Sequence, residues 1–220
     1  MLVVPEEFNR NSITVTSLMT PEQSGVWLLE RMRRQIGFES YAQKKLLDFG
    51  CGVRFSQAII NSEFPIGRYF GVDIFHPMIE FLQNNVRDRR FAYYFLDAYH
   101  PLYNPQGSLL SPDFILPIGE QDFDIVCMFS VITHQYPRDS KSIFSILRRH
   151  ISADGQLFFT CFLDQAINTF EDRSPELNGG RCFYNPDFLT ELVESCGWRE
   201  VGRAPAEGPL IGDSFVYQRA

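Results

Sequence analysis

Residues 46–52, Leu46-Leu47-Asp48-Phe49-Gly50-Cys51-Gly52, restrict the possible folds of this chain more than any other stretch. Two aliphatic residues run into an acid, and the acid runs into a turn with two glycines one residue apart. The pattern reads as a buried parallel strand that stops abruptly and leads into a helix. Glycine tolerates positive φ, and a side chain at Gly50 or Gly52 would hold the backbone away from a ligand. The end of such a strand is where open α/β sheets bind cofactors.

The flanking segments repeat the alternation. Thr20-Pro21-Glu22-Gln23 is a helix start, with Thr20 as N-cap, Pro21 at the first helical position and Gln23 completing a capping box. Leu29, Met32 and Ile36 mark one face, and Gly37 ends that helix. Strands are predicted at 45–49, 69–74, 91–96 and 123–129, and at 156–162 after the Asp154-Gly155 turn. Helices are predicted at 56–60, from His76-Pro77 with Met78, Ile79, Leu82 and Val86 facing in, from a cap at Asp139 or Ser140, and from Asn185-Pro186 to Gly197. Two last strands, 198–203 and 214–219, are joined by a hairpin holding Pro205, Gly208, Pro209 and Gly212. Seven strands with helices between the first several give an α/β fold, a mostly parallel doubly wound sheet with helices on both faces. The final pair has no helix between its strands and must be antiparallel.

The expected organisation is one domain over residues 1–220. Residues 1–19 form an irregular arm that could cover a site. Residues 99–121 hold four prolines (Pro101, Pro105, Pro112, Pro117) and no clean period, and 164–183 is a second irregular segment. Loops this long inside a compact domain are usually functional.

Charge narrows the partners. The formal net charge is −7, and no Lys/Arg cluster is larger than Arg31–Arg34, which reads as the outside of a helix. Nucleic acid is therefore not expected as a partner. Cys51, Cys127, Cys161, Cys182 and Cys196 are odd in number and form no C-x-x-C pair. They read as reduced, mostly buried thiols of a cytoplasmic protein, not as a disulfide framework or a metal site. No basic segment followed by an apolar stretch opens the chain, and no run approaches the ~20 apolar residues of a membrane span.

Two acids at strand ends specify the ligand further. Asp73 follows Gly52 by 21 residues, close to the ~20 that separate a glycine turn from the acid that grips ribose hydroxyls. Asp97, at the third strand end, could accept from an adenine amino group. The dinucleotide pattern wants a small residue at its sixth position, where this chain has Phe55, and no basic group is evident for a pyrophosphate. A ligand with ribose and adenine but no phosphate fits better.

Taken in order, LLDFGCG (46–52), GVDI (71–74), LDA (96–98), FDIVCMFSVITH (123–134) and ISADGQLFFTCF (151–162) resemble a class I S-adenosylmethionine-dependent methyltransferase, over roughly residues 40–200. The resemblance implies seven strands in the order 3-2-1-4-5-7-6 with strand 7 antiparallel, and S-adenosylmethionine as cofactor. It implies that Gly50, Cys51 and Gly52 line the methionine part and that Asp73 holds the ribose. It places Ile74 and Met78 on adenine, Asp97 and Ala98 at its edge, and Phe129-Ser130 at the amino-acid end. Asp48 would order the glycine turn or receive the cofactor's ammonium through water. Many members have a third glycine where this chain has Arg54, a residue that could pair with the methionine carboxylate or point outward. The run 103–107 together with 129–134 resembles a bacterial subgroup found among enzymes of glycan or natural-product assembly.

The sulfonium methyl is already activated, so the expected task is alignment and exclusion of water. The expected activity is O-methylation of a small-molecule acceptor, a sugar or secondary metabolite. Alternatives are N- or C-methylation, or cofactor binding without catalysis. A hydroxyl acceptor needs a base. His134, after the fourth strand, is the candidate, because an imidazole's ordinary pKa of ~6.5 suits proton removal near neutrality. Tyr103 and Asn104 are expected on the substrate side, joined by Tyr41 or earlier arm residues and by the 164–184 segment.

Overall fold

The computed structural model describes residues 1–9, 18–100, 103–119, 121–177, 180–208 and 212–220. Residues 10–17 of the arm, Pro101 and Pro209 lie outside them.

Five principal strands run parallel or in register from the predicted segments: β1 (Lys45–Phe49), β2 (Arg68–Asp73), β3 (Phe91–Phe95), β4 (Phe123–Met128) and β5 (Ile151–Leu163). β1 pairs in parallel with β2 on one side and β4 on the other, β3 extends β2, and β5 extends β4. Two short strands, β6 (Phe170–Asp172) and β7 (Cys182–Tyr184), follow, and the chain ends in the antiparallel pair β8 (Trp198–Ala204) and β9 (Asp213–Arg219). β9 pairs antiparallel with β5 along 156–161. The main sheet therefore reads β3-β2-β1-β4-β5-β9-β8, and its seven strands have the expected order with the last one antiparallel.

The hairpin β6–β7 is the difference. Segment 164–183 was expected to be irregular, yet β7 continues the edge of β5 where β9 stops, pairing Phe162 with Phe183 and Leu163 with Tyr184. Strands of three residues are too short to show a period of two. β5 is also longer than expected. It runs through Asp154-Gly155 instead of starting after a turn, with a register shift against β4 at that point. A Cβ on Gly155 would stand 2.7 Å from the Phe123 carbonyl.

Alternation on the strands sends side chains to two cores. Leu47, Phe49, Val126, Met128, Leu157 and Phe159 meet α4 (Pro137–Leu147) and α5 (Pro186–Glu194). Leu46, Tyr69, Ile125, Cys127 and Phe158 meet α1 (Pro21–Ile36), α2 (Arg54–Asn61) and α3 (His76–Asn85). Both faces of β1 and β4 are covered, which is why these strands read as continuous apolar runs. Asp48 follows the same alternation and points into the second core.

α1 starts as its sequence requires. Thr20 Oγ1 accepts from the Gln23 amide, and the Gln23 side chain accepts from the Thr20 amide. Gly37 closes the helix at φ +86°. Thr20→Ala removes the cap and is expected to lower unfolding free energy by about 1 kcal/mol. Urea denaturation would show this as a lower midpoint with an unchanged slope. α4 begins earlier than predicted, with Pro137 at its first position after Tyr136. Asp139 and Ser140 lie inside it.

Two side chains are placed differently from expectation. Arg31 is 4 % exposed. Its guanidinium bonds to Glu207, to the Pro205 carbonyl and to Ser214, tying α1 to the β8–β9 hairpin. Three arginines within four helical positions (Arg31, Arg33, Arg34) hid the one that faces inward. Tyr41 is fully buried, packs between Phe38 and Phe64, and donates to the Leu29 carbonyl at 2.7 Å. It precedes β1, at the end of the sheet opposite the glycine turn, so it cannot meet a substrate there.

Among the described residues the cysteines are unpaired, and four of the five are buried. No helix among them is long and apolar enough to cross a membrane.

Candidate active site

The C-terminal ends of β1, β2 and β4 converge on one rim. At the end of β1 the Gly50 and Cys51 amides both donate to the Val72 carbonyl, at 2.8 and 3.1 Å. These bonds bend the chain across the top of β2. Gly50 and Gly52 take φ of +78° and +51°, where a side chain is strained. Their surroundings differ. A Cβ on Gly50 would lie 2.5 Å from the Val131 methyl Cγ2, so this glycine lets the turn pack against the segment after β4. A Cβ on Gly52 would meet nothing within 4 Å. Open space lies over Gly52, and bare backbone faces it.

Asp73 closes β2 beside that space. The Gly52 amide donates to Asp73 Oδ2 and the Phe75 amide to Oδ1, each at 3.0 Å. Two amides, one from each turn, thus fix the carboxylate on the rim between the ends of β1 and β2. Ile74 is half-buried beside it. Met78, 1 % exposed, belongs to the core beneath, so it backs the site instead of lining it.

Cys51 and Asp48 face inward. Cys51 is buried, and its Sγ would be 2.9 Å from a Cβ on Gly71, so the β2 glycine makes room for it. The Asp48 carboxylate takes the Tyr69 hydroxyl at 2.6 Å and the Cys127 thiol at 3.4 Å, from the strands on either side. It bonds to neither glycine of the turn. Burial raises its pKa to about 7, against the opposing pull of the Tyr69 and Cys127 hydrogen bonds.

The end of β3 and the loop after it form a clamp. The Asn104 amide group donates to Asp97 Oδ1 at 2.9 Å and to the Ala98 carbonyl at 3.1 Å. The Ser108 amide returns to the Asp97 carbonyl, closing the loop on the strand. Gly107 permits this approach, because a Cβ there would be 2.6 Å from the Ala98 oxygen. Asn104 therefore organises the loop and orients Asp97, while Ala98 is buried. Tyr103 stacks on His100 with ring centres 4.7 Å apart and leans toward Phe75, which in turn meets Phe8 of the arm. The arm thus reaches the rim through Phe8, next to the residue that follows Ile74.

After β4, Phe129 packs between Phe55 and Phe158. Ser130 is exposed at φ +57°, a conformation that costs a non-glycine residue roughly 1–3 kcal/mol and clusters at functional sites. Its amide donates to Thr160 Oγ1 at 2.8 Å, which holds the turn against β5. A short 3₁₀ turn, Ile132–His134, follows, with Ile132 and Thr133 buried and His134 exposed on the same rim. Sequence reasoning singled out Ser130 but not its left-handed backbone, which serine does not advertise.

The rim thus gathers Gly52, Asp73, Ile74, Asp97, Ser130 and His134. Cys51, Met78, Ala98 and Phe129 form the layer beneath.

This is the architecture of a class I methyltransferase. Residues 27–201 match a family described as a methyltransferase domain. The chain belongs to that family, whose class takes its methyl group from S-adenosylmethionine. Among solved structures it is similar in fold to the glycopeptide N-methyltransferase MtfA, with 11% identity, a TM-score of 0.62 and 92% of each chain covered. The same protein in complex with S-adenosyl-L-methionine matches at 10% identity and TM-score 0.61, over 89% of this chain and 87% of that one. The CcbJ methyltransferase from Streptomyces caelestis matches at 14% identity and TM-score 0.57, over 91% and 89%.

Proposed function

We propose that this protein transfers the methyl group of S-adenosylmethionine to an oxygen of a small-molecule acceptor, a sugar or secondary metabolite. The observation that carries the reading is the Asp73 carboxylate, held by two backbone amides beside the open space over Gly52.

The rim suits this cofactor from end to end. A carboxylate stands where ribose hydroxyls would be gripped. Ile74 and Asp97 offer an apolar surface and an acceptor for adenine, with Ala98 and Met78 behind them. Bare backbone at Gly52 leaves room for the methionine tail, and the Phe129-Ser130 turn borders its far side. When bound, the cofactor supplies an electrophilic methyl on a sulfonium.

The chain's own work is then to hold, orient and exclude water. Asp73 fixes the adenosine end. Asn104 locks the 103–108 segment onto Asp97 and Ala98 so that Tyr103 stands at the acceptor side. His134 takes the proton from the acceptor hydroxyl as the new carbon–oxygen bond forms, which keeps the oxygen from accumulating positive charge. The fold likeness to MtfA and CcbJ, together with the formal net charge of −7, supports a small-molecule acceptor.

Asp73→Ala tests the reading. The variant is expected to bind S-adenosylhomocysteine about 10- to 100-fold more weakly by calorimetry, the loss typical of a hydrogen bond to a charged group. Asp73→Asn keeps the shape and checks that the fold persists. Wild-type protein that ignores S-adenosylhomocysteine, or an alanine variant that binds it equally well, would end this account.

A further inference from the structure

Arg54 is a charged side chain that the reading above leaves without a task. It is the first residue of α2 and lies two positions past Gly52, where the glycine turn gives way to the helix. Its stem is held against α1. Arg54 Cγ lies 3.4 Å from where a Cβ on Gly25 would stand, and Gly25 itself is required because that Cβ would press on Ala58 at 2.5 Å. The two helices cross closely, and the arginine stem fills the wedge above the crossing.

Among the described residues no hydrogen bond or ion pair reaches the Arg54 guanidinium. Burial lowers its pKa, and among the described residues no acid opposes the shift. An arginine does not give up its proton in a protein, so this half-buried guanidinium keeps its charge, and among the described residues its five donors meet no acceptor. Desolvating a charge without a partner is unfavourable, and a bound anion would relieve it.

We infer that Arg54 is the receptor for the carboxylate of the cofactor's amino-acid tail. The inference rests on the placement of adenosine at Asp73 and of the tail on the glycine turn. With the ribose at Asp73, the tail crosses Gly52 toward the start of α2. The cofactor's sulfonium and ammonium are both cationic and would be repelled by a guanidinium. Its carboxylate is its one anionic group, and a planar fork of N–H donors matches a carboxylate with two parallel hydrogen bonds. The residue that replaces a third glycine thus exchanges backbone room for a charged contact.

The test compares two ligands by calorimetry: S-adenosylhomocysteine, and its decarboxylated analogue, which keeps adenosine, sulfur and amine. Wild type is expected to bind the decarboxylated analogue about 10- to 100-fold more weakly. Arg54→Gln is expected to lose the same factor for S-adenosylhomocysteine and to bind the two ligands within about twofold of each other. Arg54→Lys, which keeps the charge but not the fork, should recover part of the discrimination and serves if the glutamine variant does not fold. Wild type that binds both ligands alike, or a glutamine variant that retains the full discrimination, would overturn the assignment of Arg54 and leave the cofactor site standing. Wild type that binds neither ligand would instead remove the cofactor site beneath it.

Discussion

His134→Ala is expected to lower kcat about 10²- to 10⁴-fold on a hydroxyl acceptor, the usual contribution of a positioned base, while S-adenosylhomocysteine affinity stays within about twofold of wild type. The split follows from position. His134 ends the 3₁₀ turn after β4, and its amide is tied to the Val131 carbonyl at 2.9 Å. Val131 is also the side chain that Gly50 must avoid, so the turn carrying the histidine is packed against the turn read as the tail's seat. The ring itself is exposed on the rim and belongs to no core. Its removal should therefore spare both fold and cofactor. Undiminished turnover would point to an acceptor nitrogen or carbon that needs no base, the outcome most damaging to the assignment of an oxygen acceptor.

Much of this site was legible because its chemistry is written in short local runs. The LLDFGCG stretch specifies a strand, its end and a glycine turn, and Asp73 is found by counting from it. The capping box at Thr20 and the N-cap at Asn185 involve partners within three residues, so their structure matches their reading. What escaped depends on distant contacts. Arg31 reads like its neighbours Arg33 and Arg34, and only Glu207 and Ser214, more than 170 positions away, distinguish it. Asn104 reads equally well as a ligand contact or a turn residue, and Asp97 and Ala98 decide that it clamps the loop. Tyr184 was grouped with the substrate-side segment, yet its hydroxyl is engaged by Ser140 and the Gln135 carbonyl in the interior. The left-handed Ser130 and the three-residue strands β6 and β7 leave no compositional trace, because tertiary packing imposes them.

Asp48→Asn is expected to change how stability depends on pH, by about 4 kcal/mol between pH 4 and pH 8. The Asp48 carboxyl sits between strands, capped by Tyr69 and Cys127, and burial raises its pKa from 3.8 to about 7. The unfolded chain ionises this group near 3.8, whereas the folded chain keeps it protonated until about 7. Between those values the native state binds the extra proton, so stability must fall as pH rises. The contribution is fully present below about pH 4 and lost by about pH 7, and a gap of roughly three pH units at 1.36 kcal/mol each gives about 4 kcal/mol. Asparagine cannot ionise but can still accept from Tyr69, so it removes the titration and keeps the contact. Other carboxylates titrate alike in both proteins, and the difference between their urea-unfolding curves isolates this one. That difference should shift steadily in favour of the variant from pH 4 to pH 8. Asp73 also raises the Asp48 pKa through charge repulsion, so Asp73→Asn should move the wild-type transition to lower pH. A difference that stays flat across this range would mean that Asp48 is ionised in the folded protein. The buried acid between β1, β2 and β4 would then need a cation or water that the three strand contacts do not provide.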